Sequence, residues 1–236
     1  MLEKFLAGRR RGELSDGELA ALEASVDAIV EFPARQIIVP HGKRVETCML
    51  LLEGFMTRYM DGADGERQLV ALHVPGDFVD LHSFPLRVLD HDVGSMTPVK
   101  VARFTHEAIE RLIVEFPNLA RQMWFSTLLD AAMHREWIFR LGRLGASGRV
   151  AHLFAETERR LRMVGLSEGR SFALPLQQSD IASACGITPV HTNRVLRDLR
   201  ERNVVTFSRG TVRILDLAQL HREAEFDDGY LYPSDR

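Results

Sequence analysis

Apolar residues recur at helical spacing along LQQSDIASACGITPVHTNRVLRDL, residues 176–199, and a glycine divides them between two short helices. The first is predicted from about Gln178 to Ala184, with Gln177 or Ser179 offering an oxygen to the free amides at its start. Gly186 ends it, because glycine accepts the left-handed conformation that reverses the chain within a few residues. Thr188 then caps a second helix, whose first position, Pro189, has no N–H to leave unpaired. Thr192, Val195, Leu196 and Leu199 face inward, against Ile181, Ala182 and Ile187, while His191, Asn193, Arg194, Arg197 and Arg200 face out. Two β-prone runs follow, VVTFS (204–208) and TVRIL (211–215), about a turn at Arg209-Gly210 that predicts a hairpin. A helix pair with such a hairpin behind it has the order of a winged helix-turn-helix.

Upstream, Ser15 and Glu18 have capping-box spacing and precede Leu19, Leu22, Val26 and Ile29, which predicts one amphipathic helix ending near Phe32-Pro33. From Gln36 to about Phe104 the pattern changes to short strand-like pieces, IIVP, CMLLLEGFMTRYM, RQLVALHVPGDFVD and PVKVARF, punctuated by glycines. That rhythm predicts an antiparallel roll or barrel rather than alternating β/α units. Thr105 opens a short helix through Ile113, and Phe116-Pro117-Asn118 starts a long one reaching about Leu144. Leu119, Met123, Ser126, Asp130, Met133, Trp137, Arg140 and Leu144 follow a heptad along it, so Met123, Met133 and Trp137 are expected to face a second copy of the chain. Phe125, Leu128, Leu129, Ala132 and Phe139 make a second apolar face for the chain's own core. Gly142, Gly145 and Gly148 mark a hinge, with Ser147 capping the next helix to about Met163. The tail from Asp216 reads as a short helix through His221 and then a mobile acidic end.

The fold class is therefore α+β, in three parts: a roll over residues 1–115, a long helix over 116–145, and a winged helix-turn-helix with an acidic tail over 146–236. The chain is 236 residues long, with a formal net charge of −3 and 45% hydrophobic residues. It is not basic as a whole, yet between Pro175 and Leu215 six arginines stand against three acids, a local +3. No apolar run approaches the ~18 residues of a membrane span, and the first residues lack the apolar core of a signal peptide, so the expectation is a cytoplasmic protein away from the membrane. Two distant cysteines, Cys48 and Cys185, exclude a disulfide framework. No nucleophile with its base, no phosphate loop and no metal-ligand spacing is present, so the chain reads as no enzyme.

A helix with an apolar back and a basic, amide-bearing front fits the major groove of double-stranded DNA, where arginine pairs with guanine and asparagine with adenine. Roll, long helix, glycine hinge and winged helix in that order resemble the Crp/Fnr family of bacterial transcription regulators. The likeness is strongest over SDIASACGITPVHTNRVLRDLRERNVV and extends to LLLEGFMTRY and HVPGDFVDLH. The resemblance implies a homodimer paired through its long helices, a cyclic-nucleotide-binding-like roll, and a palindromic operator, with RNA polymerase as a further possible partner. It places Arg194 as the chief base reader, with Val190 and His191 beside it. Gln177, Ser179, Thr188, Asn193, Arg197 and Arg209 fall where phosphates are touched.

The roll departs from the cyclic-AMP pattern. The expected effector pocket comprises Gly76, Asp77, Phe78, Arg87 and His91, but Asp77, Asp90 and Asp92 put carboxylates where a cyclic phosphate would lie. Two cysteines cannot hold an iron–sulfur centre. His41, His73, His82 and His91 leave haem open as a minority reading, no cofactor is assigned, and the effector is an unknown small molecule if there is one. Cys185 is either a packing residue or an oxidation switch. The competing function class is a small-molecule carrier or signalling protein whose winged helix docks on another protein.

Overall fold

The capping box closes as expected in the computed structural model, which describes residues 1–235. Ser15 Oγ accepts from the Glu18 N–H at 3.3 Å, and the Glu18 carboxylate accepts from the Ser15 N–H at 2.8 Å. Helix α1 (Asp16–Ala24) nevertheless stops well short of Phe32. Residues Ala28–Phe32 form strand β1, paired antiparallel with strand β7 (Val99–Thr105). Ile29 and Val30 are β-branched, which favours a strand once a partner strand is available.

The roll adds β2 (Ile37–Val39), β3 (Thr47–Glu53), β4 (Met56–Asp61), β5 (Arg67–His73), the one-turn helix α2 (Ser83–Leu86) and β6 (Asp92–Ser95). One sheet has the order β1-β7-β3 and the other β2-β6-β4-β5. Met49, Leu51, Met56, Val79, Val93 and Val101 form the core between them. Strand β6 escaped the sequence reading because DVGS is short and holds a glycine. At Gly94 the missing Cβ lets the Gln36 carbonyl approach, since a Cβ there would stand 3.1 Å from that oxygen.

The first residues, which carry no strong periodicity, are built into this fold. Leu2, Phe5 and Leu6 are buried, and Phe5 meets Phe78 edge-on at 5.5 Å. Gly76, at φ 100°, is required here, because a Cβ would collide with the Lys4 carbonyl.

Thr105 caps helix α3 (His106–Glu115), accepting from the Ala108 N–H at 3.1 Å. Helix α4 (Pro117–Arg143) follows; Phe125, Leu129 and Ala132 are buried as expected, but the stripe expected to meet a second copy is buried too. Met123, Met133 and Trp137 are buried within their own chain, whereas Trp124, Leu128 and Ile138 are 66%, 52% and 71% exposed. Heptad spacing identifies stripes on a helix but not which stripe meets the core.

Only Leu144 and Gly145 separate α4 from α5 (Ala146–Met163), and Gly145 rather than Ser147 is its N-cap. Gly148 lies inside α5, where a Cβ would come within 2.9 Å of the Glu223 carbonyl. The remaining elements are β8 (Ser171–Ala173), α6 (Gln178–Cys185), α7 (Pro189–Glu201), β9 (Val205–Ser208), β10 (Thr211–Ile214) and α8 (Leu217–Ala224). The hairpin β9–β10 forms as predicted, and β8 adds a third strand on its far edge.

The end of the chain is anchored rather than mobile over Asp228–Leu231, a 3₁₀ turn. Leu231 is fully buried, and the Tyr230 hydroxyl donates to the buried Glu156 carboxylate at 2.8 Å. By packing, the chain divides within α4: Met1–Met60 and Ala71–Ala131 belong to one unit, Asp61–Val70 and Ala132–Pro233 to the other.

Candidate nucleic-acid interface

Three local devices set the angle of α7 against α6. Gly186 adopts φ 60° and ψ 43°, the left-handed conformation foreseen. Thr188 Oγ1 accepts from the His191 N–H at 3.2 Å, and Pro189 follows as the first helical residue. Gln177 is the N-cap of α6, where the Asp180 carboxylate reaches back to the Gln177 N–H at 2.6 Å.

Thr192, Val195, Leu196 and Leu199 are buried, each less than 10% exposed, and pin α7 to the core. On the opposite side His191, Asn193, Arg194, Arg197 and Arg200 are exposed, and Val190 is 66% exposed. Val190, Arg194 and Arg197 stand at i, i+4 and i+7, so one strip of surface carries all three. Asn193 Nδ2 is 3.4 Å from Gln178 Oε1. Gln177 and Ser179 are exposed at the start of α6, and Arg209 sits exposed at the tip of the β9–β10 hairpin with φ 50°.

Of the six arginines in this region, Arg202 is withdrawn from any ligand. It bonds Glu223 at 2.8 Å, Asp198 at 2.8 Å and Ser147 Oγ at 3.1 Å, and the two carboxylates raise its pKa further. Arg197 has only a loose ion pair with Glu201, at 4.0 Å between exposed groups, and Arg194 has no ion pair among the described residues. Arg194 is thus a cation held in place by its helix and free at its tip.

Two residues behind the interface were missed from the sequence. Arg140 Nη2 donates to the Ala184 carbonyl at 3.0 Å, and Arg149 Nη1 to the Cys185 carbonyl at 3.3 Å. Positive charge at the C-terminus of α6 satisfies its last carbonyls and favours its dipole. Arg140 is fully buried with its guanidinium carbon 3.8 Å from the Trp137 ring centroid. A polar residue inside the heptad was the one available signal. Cys185 is fully buried, and burial pushes its thiol up to about 11. Burial and a raised thiol both favour the packing role over the oxidation switch.

The residues expected to line the effector pocket each have partners within the fold. Gly76 serves a turn, its N–H donating to the Leu51 carbonyl at 2.8 Å. Asp77 accepts from the Val74 N–H at 2.9 Å, and Phe78 is core, packed on Phe5 and Phe104. Arg87 donates to His106 Nδ1 at 2.6 Å, and His91 donates from Nδ1 to Asp90 at 2.7 Å. The roll instead buries a polar cluster around Arg58, which donates to the Val79 carbonyl at 2.8 Å and to Asp130 at 2.6 Å.

Burial pushes the Asp80 carboxyl of this cluster up to about 7 and takes His82 down to about 3, the latter helped by the Arg58 charge. Asp80 Oδ1 accepts from the Met49 N–H at 2.6 Å, while Oδ2, His82 Nε2 and His91 Nε2 have no partner among the described residues. Arg58 and Arg87 both already have protein acceptors, Val79 and Asp130 for the first and His106 for the second. Among the described residues no group of three or more His, Cys, Asp or Glu is placed to hold a metal, and no helix is long and apolar enough to cross a membrane.

Residues 29–116 match the family described as the cyclic nucleotide-binding domain, and residues 148–223 the Crp-like helix-turn-helix domain. The chain is 30% identical over 221 residues to the transcriptional activator protein FnrL of Cereibacter sphaeroides, covering 91% of this chain and 87% of that one. It is 30% identical over 172 residues to the nitrogen fixation regulation protein FixK of Bradyrhizobium diazoefficiens, 72% and 70% of the two chains. The structure of FixK2 from Bradyrhizobium japonicum superposes with a TM-score of 0.75 at 23% identity, over 83% of this chain and 96% of that one.

Proposed function

Because the chain belongs to the Crp/Fnr family of transcription regulators, we propose that it binds duplex DNA as a homodimer, reading a palindromic operator through α7. The observation that carries this is the exposed strip of Val190, Arg194 and Arg197 on a helix whose opposite face is buried. Arg194 pairs bidentately with guanine, and Val190 offers methyl groups to a thymine methyl. His191 flanks them. Gln177, Ser179, Thr188, Asn193, Arg197 and Arg209 hold the phosphates and set the register.

The second copy packs along α4 through Trp124, Leu128 and Ile138, which leave a large apolar stripe exposed in one chain. RNA polymerase is the partner through which such a regulator acts. The roll responds to a small effector that is not held by a phosphate clamp, since Arg58 and Arg87 are already engaged.

Selection of random duplexes on the purified protein, followed by titration of Arg194→Ala against the enriched sequence, tests this. The variant is expected to lose discrimination at one base pair per half-site, about 1–3 kcal/mol, while weak salt-dependent binding persists. Undiminished preference in Arg194→Ala would remove α7 as the reading helix.

A further inference from the structure

Arg140 carries a charge into the core near the end of α4. Its side chain is fully buried, its guanidinium carbon lies 3.8 Å from the Trp137 ring centroid, and its Nη2 donates to the Ala184 carbonyl at 3.0 Å. Nε and Nη1 have no hydrogen-bond partner among the described residues. Burying a cation with two of its nitrogens unpaired costs free energy, and an apolar side chain of similar volume is often no less stable in such a place. The Glu156 carboxylate keeps Arg160, Trp137 and Tyr230 without it. Stability therefore does not account for an arginine here, and the one bond it makes points to its use.

That bond joins two elements with different duties. Ala184 and Cys185 are the last residues of α6, directly before the Gly186 turn that aims α7. Arg140 belongs to the final turns of α4, where Ile138, two residues earlier, is 71% exposed and points away from the opposite side of the helix. One face of this segment thus meets the second copy in the dimer proposed above, while the other grips the helix-turn-helix. Two further contacts close the grip. Arg149 donates from Nε to the Leu144 carbonyl at 2.8 Å and from Nη1 to the Cys185 carbonyl at 3.3 Å, and a Cβ on Gly186 would stand 3.5 Å from Leu141 Cδ2. Every group named here lies in the unit that holds Ala132–Pro233.

A dimer reads two half-sites at once, so the placing of each α7 on its own α4 fixes how far apart, and at what angle, the half-sites must lie. Moving one half-site by a single base pair displaces it about 3.4 Å along the duplex and turns it about 35° around the axis. A stiff joint between α4 and α6 rejects that shift, and a loose one absorbs it. We propose that Arg140, with Arg149 beside it, is a positioning residue that locks the reading head to the dimer helix and so sets the spacing of the operator's half-sites. This rests on the DNA-binding and dimer reading above.

The test titrates the full chain with the palindrome that wild type enriches from a random pool, and with the same duplex after its spacer is lengthened or shortened by one base pair. Wild type is expected to lose roughly thirtyfold in affinity on either change, about 2 kcal/mol. Arg140→Met is expected to lose about threefold or less on the same changes, with its base preference within each half-site and its urea midpoint close to those of wild type. Arg149→Met is expected to move the same way, and it carries the test if Arg140→Met does not fold. Wild-type spacer selectivity in Arg140→Met, a wild type indifferent to the spacer, or binding weakened equally at every spacing together with a lowered urea midpoint overturns the positioning role and leaves the DNA reading standing. So does a failure of both variants to fold, since the two arginines then serve the fold alone. A wild type that enriches no palindrome overturns both.

Discussion

Replacing Tyr230 by phenylalanine removes one oxygen from a buried network and nothing else. The Glu156 carboxylate, 1% exposed, accepts from Tyr230 OH at 2.8 Å, Trp137 Nε1 at 3.1 Å and Arg160 Nη1 at 3.3 Å. Without the hydroxyl, Oε2 keeps, among the described residues, only the 3.3 Å contact to Trp137. The phenyl ring fills the same volume, so no cavity is created. A hydrogen bond to a charged group is worth about 1.5–3 kcal/mol, which sets the expected loss near 2 kcal/mol for the unit holding the winged helix. With a urea dependence of about 2 kcal/mol per molar, the unfolding midpoint falls by about 1 M at unchanged slope.

The pH dependence has a definite sign. Burial raises the Glu156 pKa, but the charges of Arg160, His152 and Arg140 and the Trp137 bond outweigh it, and the carboxyl sits below its usual 4.5. A depressed carboxyl contributes stability that is present above the unfolded value and lost as pH falls through the folded one. The gap between wild type and Tyr230→Phe therefore narrows in acid, below about 4.5. A midpoint shift under roughly 0.2 M at neutral pH would refute the network as a stabilising element.

At Asp80, burial raises the carboxyl from 3.8 to about 7, so the folded state holds its proton more tightly and stability falls as pH rises through that interval. Asp80→Asn keeps an acceptor for the Met49 N–H and is expected to flatten that slope in urea midpoints measured across the same range; equal slopes contradict the assignment. Ile138→Glu, at a 71% exposed position, is expected to yield folded monomers in sedimentation velocity, and a persisting dimer would move the partner surface elsewhere. Burial pushes the thiols of Cys48 and Cys185 up to about 12 and about 11, so a thiol-specific reagent at pH 8 should modify neither until urea is added. Rapid labelling of Cys185 in the native protein would restore the oxidation-switch reading.

The winged helix was legible because each of its signals is local. Gly186, Thr188 and Pro189 act within a few residues of themselves, and Arg209-Gly210 makes its own turn. The outward face of α7 followed from the same periodicity, since the side that carries Thr192, Val195, Leu196 and Leu199 leaves Arg194 outside, whereas the choice of Val190, His191 and Arg194 as base readers came from the family resemblance. The roll was legible in class but not in detail. The structural duties of Gly76, Asp77 and Phe78 could not be read from the sequence, because they rest on contacts with Lys4, Leu51 and Phe5 far away along the chain.

By itself, then, the sequence determined what needs only neighbours along the chain: helix caps, the reversal at Gly186, the wing, and the strip of side chains on α7. The tertiary structure alone decided which stripe of α4 is buried, that the tail ends in Tyr230 bonded to Glu156, and that Arg140 and Arg149 complete α6 from behind. The reason is physical. Periodicity states that a face is apolar or charged, but whether Met133 or Ile138 meets the core, and whether Arg202 or Arg194 is left free, depends on partners brought together only by packing.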